Sequence, residues 1–103
     1  MWTVVMFDLP THSKTHRERY RKFRKFLLDE GFNMLQYSIY GRHCPTKEKA
    51  EHKTLRIKRN LPPEGEIRIL QVTEAQFSRM QVFRKSAHID PEQAPNQLEF
   101  WGA

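Results

Sequence analysis

Cysteine is almost missing from this chain: Cys44 stands alone. A single thiol excludes an intrachain disulfide, and a reducing compartment, the cytoplasm, is the expected location. Long apolar runs are missing as well. Hydrophobic residues make up 38% of the chain, and no stretch nears the roughly 18 residues of a membrane-spanning helix. The N-terminal residues show no charged lead, long apolar core or small-residue cleavage site, so a secretory signal is not expected. Glycine occurs four times, at 31, 41, 65 and 102, too scattered for a phosphate-cradling loop. Acids are scarce relative to bases: 12 Asp and Glu face 18 Lys and Arg, for a net charge of +6. That balance fits a polyanionic partner, nucleic acid before an anionic membrane. At 103 residues, one domain with one modest core is expected.

The apolar residues that are present form short, ordered runs. Residues 2–8, WTVVMFD, read as a strand rich in Thr, Val and Phe. It is apolar on both faces, as a central strand would be, and Pro10 stops it. Residues 13–30 read as a helix, with Thr11 or Ser13 as N-cap and Gly31 just past the end. Tyr20, Phe23, Phe26 and Leu27 share one arc, and Lys14, Arg17, Arg21, Lys22, Arg24 and Lys25 cover most of the other. Residues 33–41 read as a second strand, residues 47–60 as a second helix, and residues 66–73 as a third strand. Pro62-Pro63 marks a turn between the last two. Thr73 followed by Gln76 predicts a capping box and a short helical turn. Residues 80–84 read as a short strand, and residues 86–103 as an irregular arm whose LEFW, Leu98–Trp101, should dock on something. The order suggests an α+β, ferredoxin-like βαββαβ plan. Its third strand has little room between residues 41 and 47. Either the second strand extends through Arg42 to Cys44, or part of the second helical region is strand.

Asp8 is the first candidate for chemistry. A carboxylate at the end of a central strand suits a hard cation such as Mg2+, which takes one or two carboxylates, waters and substrate phosphate. The other reading is a turn-capping aspartate before a proline loop. Arg17, Arg21 and Arg24 follow i, i+4, i+7 spacing and line one face. With Lys14 and Lys25 they form a row suited to phosphate. Glu18 is the one acid among seven Lys and Arg between Lys14 and Lys25, whereas a merely solvated helix face usually mixes signs. His12 and His16 have the spacing of a metal pair but no third ligand, so solvated histidines are expected. His43-Cys44 lacks the partners of a zinc site or a thiol nucleophile. Phe7, Tyr37 and Tyr40 suit a core better than a base-stacking sheet, since the RNA-recognition signature is missing.

Taken in order, VVMFDLP, the basic helix, LDEGFNMLQYSIYGR and VTEAQFSRMQVF resemble the CRISPR-associated protein 2 family. The resemblance spans nearly all of residues 2–84 and rests on Asp8, Gly31-Phe32, Gln36-Tyr37-Ser38 and Thr73–Phe83. The last piece is similar to members that accompany effectors of the Cas-nine type (type II). The resemblance implies a ferredoxin-like homodimer with a short extra C-terminal strand, a domain over residues 1–85, and an arm over residues 86–103 that docks on the dimer. It implies a divalent metal, Mg2+, between two copies of Asp8, making Asp8 both metal ligand and catalytic residue. No second carboxylate in the first strand or its loop joins it. Two roles follow. One is a dimeric scaffold that holds duplex spacer DNA for the integrase subunit, CRISPR-associated protein 1. The other is metal-dependent cleavage of RNA or DNA, as by a toxin-like endoribonuclease acting alone. The basic residues Lys14, Arg17, Arg21, Arg24 and Lys25 would contact the nucleic acid.

Overall fold

In the computed structural model, which describes residues 1–95, a four-stranded antiparallel sheet carries two helices on one face. The strands are β1 (Trp2–Asp8), β2 (Asn33–Gln36), β3 (Ile39–His43) and β4 (Glu66–Val72), and the helices are α1 (Lys14–Asp29) and α2 (Lys47–Lys58). The sheet order is β2-β3-β1-β4. A short helix, α3 (Glu74–Ser78), and a separate hairpin of β5 (Val82–Arg84) and β6 (Ala87–Ile89) follow. The central position expected of β1 is observed: it pairs antiparallel with β3 on one side and β4 on the other.

Side chains alternate across β1 and build two clusters. Val5 and Phe7 face the helices and meet Phe23 and Leu27 of α1, Ile57 of α2, Phe32 and Tyr40. Phe7 lies edge-on to Phe23, ring centroids 5.2 Å apart. Trp2 and Val4 face the other way and pack with Phe77 of α3, where the Trp2 and Phe77 rings stack at 4.1 Å. Each fully buried large side chain contributes about 1.5–3 kcal/mol.

The helix ends follow their local chemistry. Ser13 caps α1 by accepting from the His16 amide at 3.1 Å. At the other end Gly31 takes φ +85°. Its amide donates to Leu28 and that of Phe32 donates to Leu27, the paired bonds of a Schellman cap. Arg42 donates to the Glu30 carbonyl at 2.7 Å, satisfying another helix-end acceptor. The capping box predicted at Thr73 and Gln76 is present, with both bonds formed.

Two elements differ from expectation. The strand predicted over residues 33–41 is a hairpin: it turns at Tyr37-Ser38, with Ser38 at φ +61°. Its alternating pattern runs unbroken through the turn, so periodicity gave no sign of the reversal. The third strand of the plan therefore lay inside the segment read as the second, and it reaches His43. The register shifts between Met34 and Gln36 as well. Tyr40 is buried against the helices, while Leu35 lies over Gly41, where a Cβ would meet its side chain at 2.9 Å. The second difference is in residues 86–95, read as irregular: Ala87–Ile89 pair with β5, and Ala94 packs against the Trp2 cluster. The LEFW segment lies outside the described residues.

The β5–β6 turn uses Lys85 and Ser86, at φ +54° and +64°. Positive φ at both central positions is the type I′ geometry that favours Asn-Gly. Replacing Lys85-Ser86 with Asn-Gly should therefore stabilise the protein by about 0.5–1 kcal/mol, seen as a higher urea midpoint at unchanged m value.

Candidate functional site

Asp8 is the last residue of β1 and is exposed. Its carboxylate accepts no hydrogen bond among the described residues, which leaves the turn-capping reading without a bond to support it. The ladder places Glu66 directly opposite Asp8, and Arg68 opposite Met6. Partners opposed in an antiparallel ladder project to the same face. Asp8, Glu66 and Arg68 accordingly line one open groove of about 370 Å3 with Met6, Tyr37 and Ile39. The Arg68 guanidinium donates to Glu66 at 2.7 Å. Gly65, at φ +96°, makes the close approach possible, because a Cβ there would meet the Asp8 carbonyl oxygen at 2.6 Å.

Glu66 was not singled out from the sequence. It lies 58 positions from Asp8 (66 − 8), and only the strand register joins them. The oxygen donors suit a hard cation: Asp8 would hold Mg2+, with Glu66 within the same groove. Among the described residues no group of three or more His, Cys, Asp or Glu side chains comes together. One chain thus offers a partial donor set.

The basic residues predicted on the first helix lie along the exposed side of α1. Lys14, Arg17, Arg21, Arg24 and Lys25 are all exposed, but they are not equivalent. Arg17 donates to the Thr11 carbonyl at 3.2 Å, which fixes its direction. Lys25 pairs with Asp29 at 2.8 Å. Lys14, Arg21 and Arg24 enter no ion pair among the described residues, so their charge is open to solvent.

The remaining candidates have structural uses. The His12 and His16 rings lie 4.3 Å apart. His16, however, binds the Ser13 hydroxyl through Nδ1 and Glu64 through Nε2, the latter at 3.0 Å. That bond holds the Glu64 carboxyl below its usual range. His43 likewise binds Glu74 at 2.7 Å and lowers its carboxyl pKa. Cys44 is fully buried beside Thr3, out of reach of a substrate. Phe7 and Tyr40 belong to the core, whereas Tyr37 is 75% exposed at the rim of the Asp8 groove. Among the described residues no helix is long and apolar enough to cross a membrane.

A model of the family described as CRISPR associated protein Cas2 matches residues 1–80. The chain belongs to this family. It is similar to the CRISPR-associated endoribonuclease Cas2 of Parvibaculum lavamentivorans, with 43% identity over 98% of this chain and 100% of that one. The protein of the same name from Flavobacterium psychrophilum is 42% identical over 98% of this chain and 88% of the other. The crystal structure of Streptococcus pyogenes Cas2 at pH 6.5 superposes with a TM-score of 0.61 at 19% identity, covering 82% of this chain and all of that one. This last likeness is one of fold: mixed α and β with an antiparallel sheet.

The end of α1 is tied to α2 through Glu30, which accepts from Arg56 and Lys53. The Arg56 bond, more than the nearby Lys53 charge, holds the Glu30 carboxyl below its ordinary 4.5, against the opposing effect of burial. A lowered carboxyl stabilises the fold above the ordinary value and loses that contribution as pH falls through the folded value. Glu30→Gln should cost about 1 kcal/mol at neutral pH. In urea titrations, the gap from wild type should shrink as pH drops below 4.5.

Proposed function

We propose that this protein is the small adaptation subunit of a CRISPR system of the Cas-nine type: a cytoplasmic, ferredoxin-like homodimer that holds duplex spacer DNA for the integrase subunit, CRISPR-associated protein 1. The observation that carries this reading is the exposed row on α1, where Lys14, Arg21 and Arg24 have no acidic partner among the described residues. Guanidinium groups so spaced bind successive phosphates through charge and hydrogen bonds, without reading sequence. The βαββαβ order and the β2-β3-β1-β4 sheet support the ferredoxin-like plan. The sheet face away from the helices supports the dimer, since Leu70, opposite Val4 on that face, is 51% exposed and a second copy would cover it. In this reading the dimerising domain runs past residue 85, because β6 (Ala87–Ile89) pairs with β5 and Ala94 packs on the Trp2 cluster.

A second reading is favoured by the relatives' printed name: metal-dependent cleavage of RNA or DNA by the dimer acting on its own. Asp8, with Asp8 of the partner subunit, would hold the divalent ion. A bound Mg2+ supplies charge that polarises a phosphate and lowers the pKa of a bound water. This chain's contribution is to present Asp8 at a rigid strand end and to keep Glu66 engaged by Arg68. A carboxylate pair of this kind is a modest basis for catalysis, whereas the α1 row is a fuller basis for binding.

The two readings separate by mutation. Changing Arg17, Arg21 and Arg24 together to Glu should abolish duplex binding, and in wild type log affinity should fall against log salt with a slope of about −0.9 per phosphate contact. Asp8→Asn should leave duplex binding intact and remove any metal-dependent cleavage. Undiminished binding by the triple variant would reject this face.

A further inference from the structure

A second concave surface lies between α1 and the loop after α2. It is a groove of about 430 Å3 with Phe26, Leu61 and Pro63 in its apolar floor and Arg19, Lys22 and Arg59 on its rim. No carboxylate lines it among the described residues. Leu61 is 50% exposed. Arg19 is partly offset by Glu64 at 3.2 Å, while Lys22 and Arg59 enter no ion pair among the described residues.

The groove is separate from the surface assigned to DNA. At about 100° per residue, Arg21 and Arg24 fall within roughly 40° of Arg17 around α1, whereas Lys22 and Phe26 lie roughly 140° and 180° away. A duplex on the arginine row therefore leaves the groove open. The groove is also pre-shaped. Pro62 and Pro63 hold the loop at fixed φ, and the Asn60 side chain closes the end of α2 by donating to the Arg56 carbonyl at 2.8 Å. Little ordering entropy remains to be lost when something binds there. Phosphates alone would leave the apolar floor wet.

From this we infer that the α1–α2 groove is a docking site for an acidic amphipathic segment of a protein partner. One or two Leu, Phe or Trp side chains would seat on Phe26 and Leu61, and flanking Asp or Glu would meet Lys22 and Arg59. The mode is that of a short amphipathic segment lying in a groove, with apolar anchors for affinity and rim charge for selection. It goes beyond the DNA reading. Peptide and duplex affinities are measured separately, so either can fail alone.

Panning a phage-displayed random dodecapeptide library on the intact protein tests it. Selected sequences should place Leu, Phe or Trp among Asp and Glu. A selected peptide carrying fluorescein should lose roughly tenfold in affinity, about 1.4 kcal/mol, with Leu61→Asp and again with Lys22→Glu, both surface changes. The triple Glu variant of the arginine row should bind it as wild type does, and Leu61→Asp should bind duplex as wild type does. Selection of sequences without acids, no selection at all, or binding indifferent to both groove variants would overturn the proposal. So would an oligothymidine probe whose binding Leu61→Asp weakens, since that would make the groove a nucleic-acid site.

Discussion

Strand β1 is hydrogen-bonded along both edges and packed on both faces, and the other main elements take their positions from it. Val5 and Phe7 anchor α1 and α2 on one side, while Trp2 and Val4 anchor α3 on the other. A strand so confined cannot slip by one residue, because a slip would send every core side chain to the wrong face. The same confinement fixes where β1 stops. Asp8 is held at the end of this central strand by structure that has nothing to do with its charge, and its carboxylate is left exposed.

The two carboxylates of the groove illustrate how a ladder assembles chemistry. Asp8 and Glu66 are opposed because β1 and β4 run antiparallel in a register set by apolar partners such as Val5 with Ile69 and Phe7 with Ile67. Like charges opposed in this way repel. The Arg68 bond to Glu66 offsets part of that cost, and solvent screens the rest at an exposed strand end. A polyanion approaching this end meets carboxylates, whereas along α1 it meets an almost uninterrupted row of cations. The molecule is thus polarised, with carboxylates at the end of β1 and cations along α1.

Helix α1 serves three environments at once. Its buried arc packs on Phe7 and Tyr40, its outer arc carries the arginine row, and its third flank rims the groove beside Leu61. One helix can do this because 3.6 residues per turn distributes neighbouring residues over different faces. Its ends are held from outside, by His16 to Glu64 at the start and by Arg42 at the Glu30 carbonyl at the finish. The row is therefore presented on a rigid rod.

Much of this was legible in the chain itself. The central strand, the amphipathic first helix with its cap and Gly31, the capping box at Thr73 and the arginine spacing all depend on neighbours within a few residues, where steric and hydrogen-bonding rules act directly. The Asp8 candidate was visible for the same reason: an apolar run ends on a charge. Tertiary structure decided the rest. The Tyr37-Ser38 turn is hidden by an alternation that continues across it, and it forms because Gly41 gives Leu35 room and β1 offers an edge for β3. Glu66 joins Asp8 only through register, and the groove beside Leu61 exists only once α1 and the loop after α2 are packed together. These features are contacts between residues distant in sequence, and their free energy appears only when the sheet and helices close on one another.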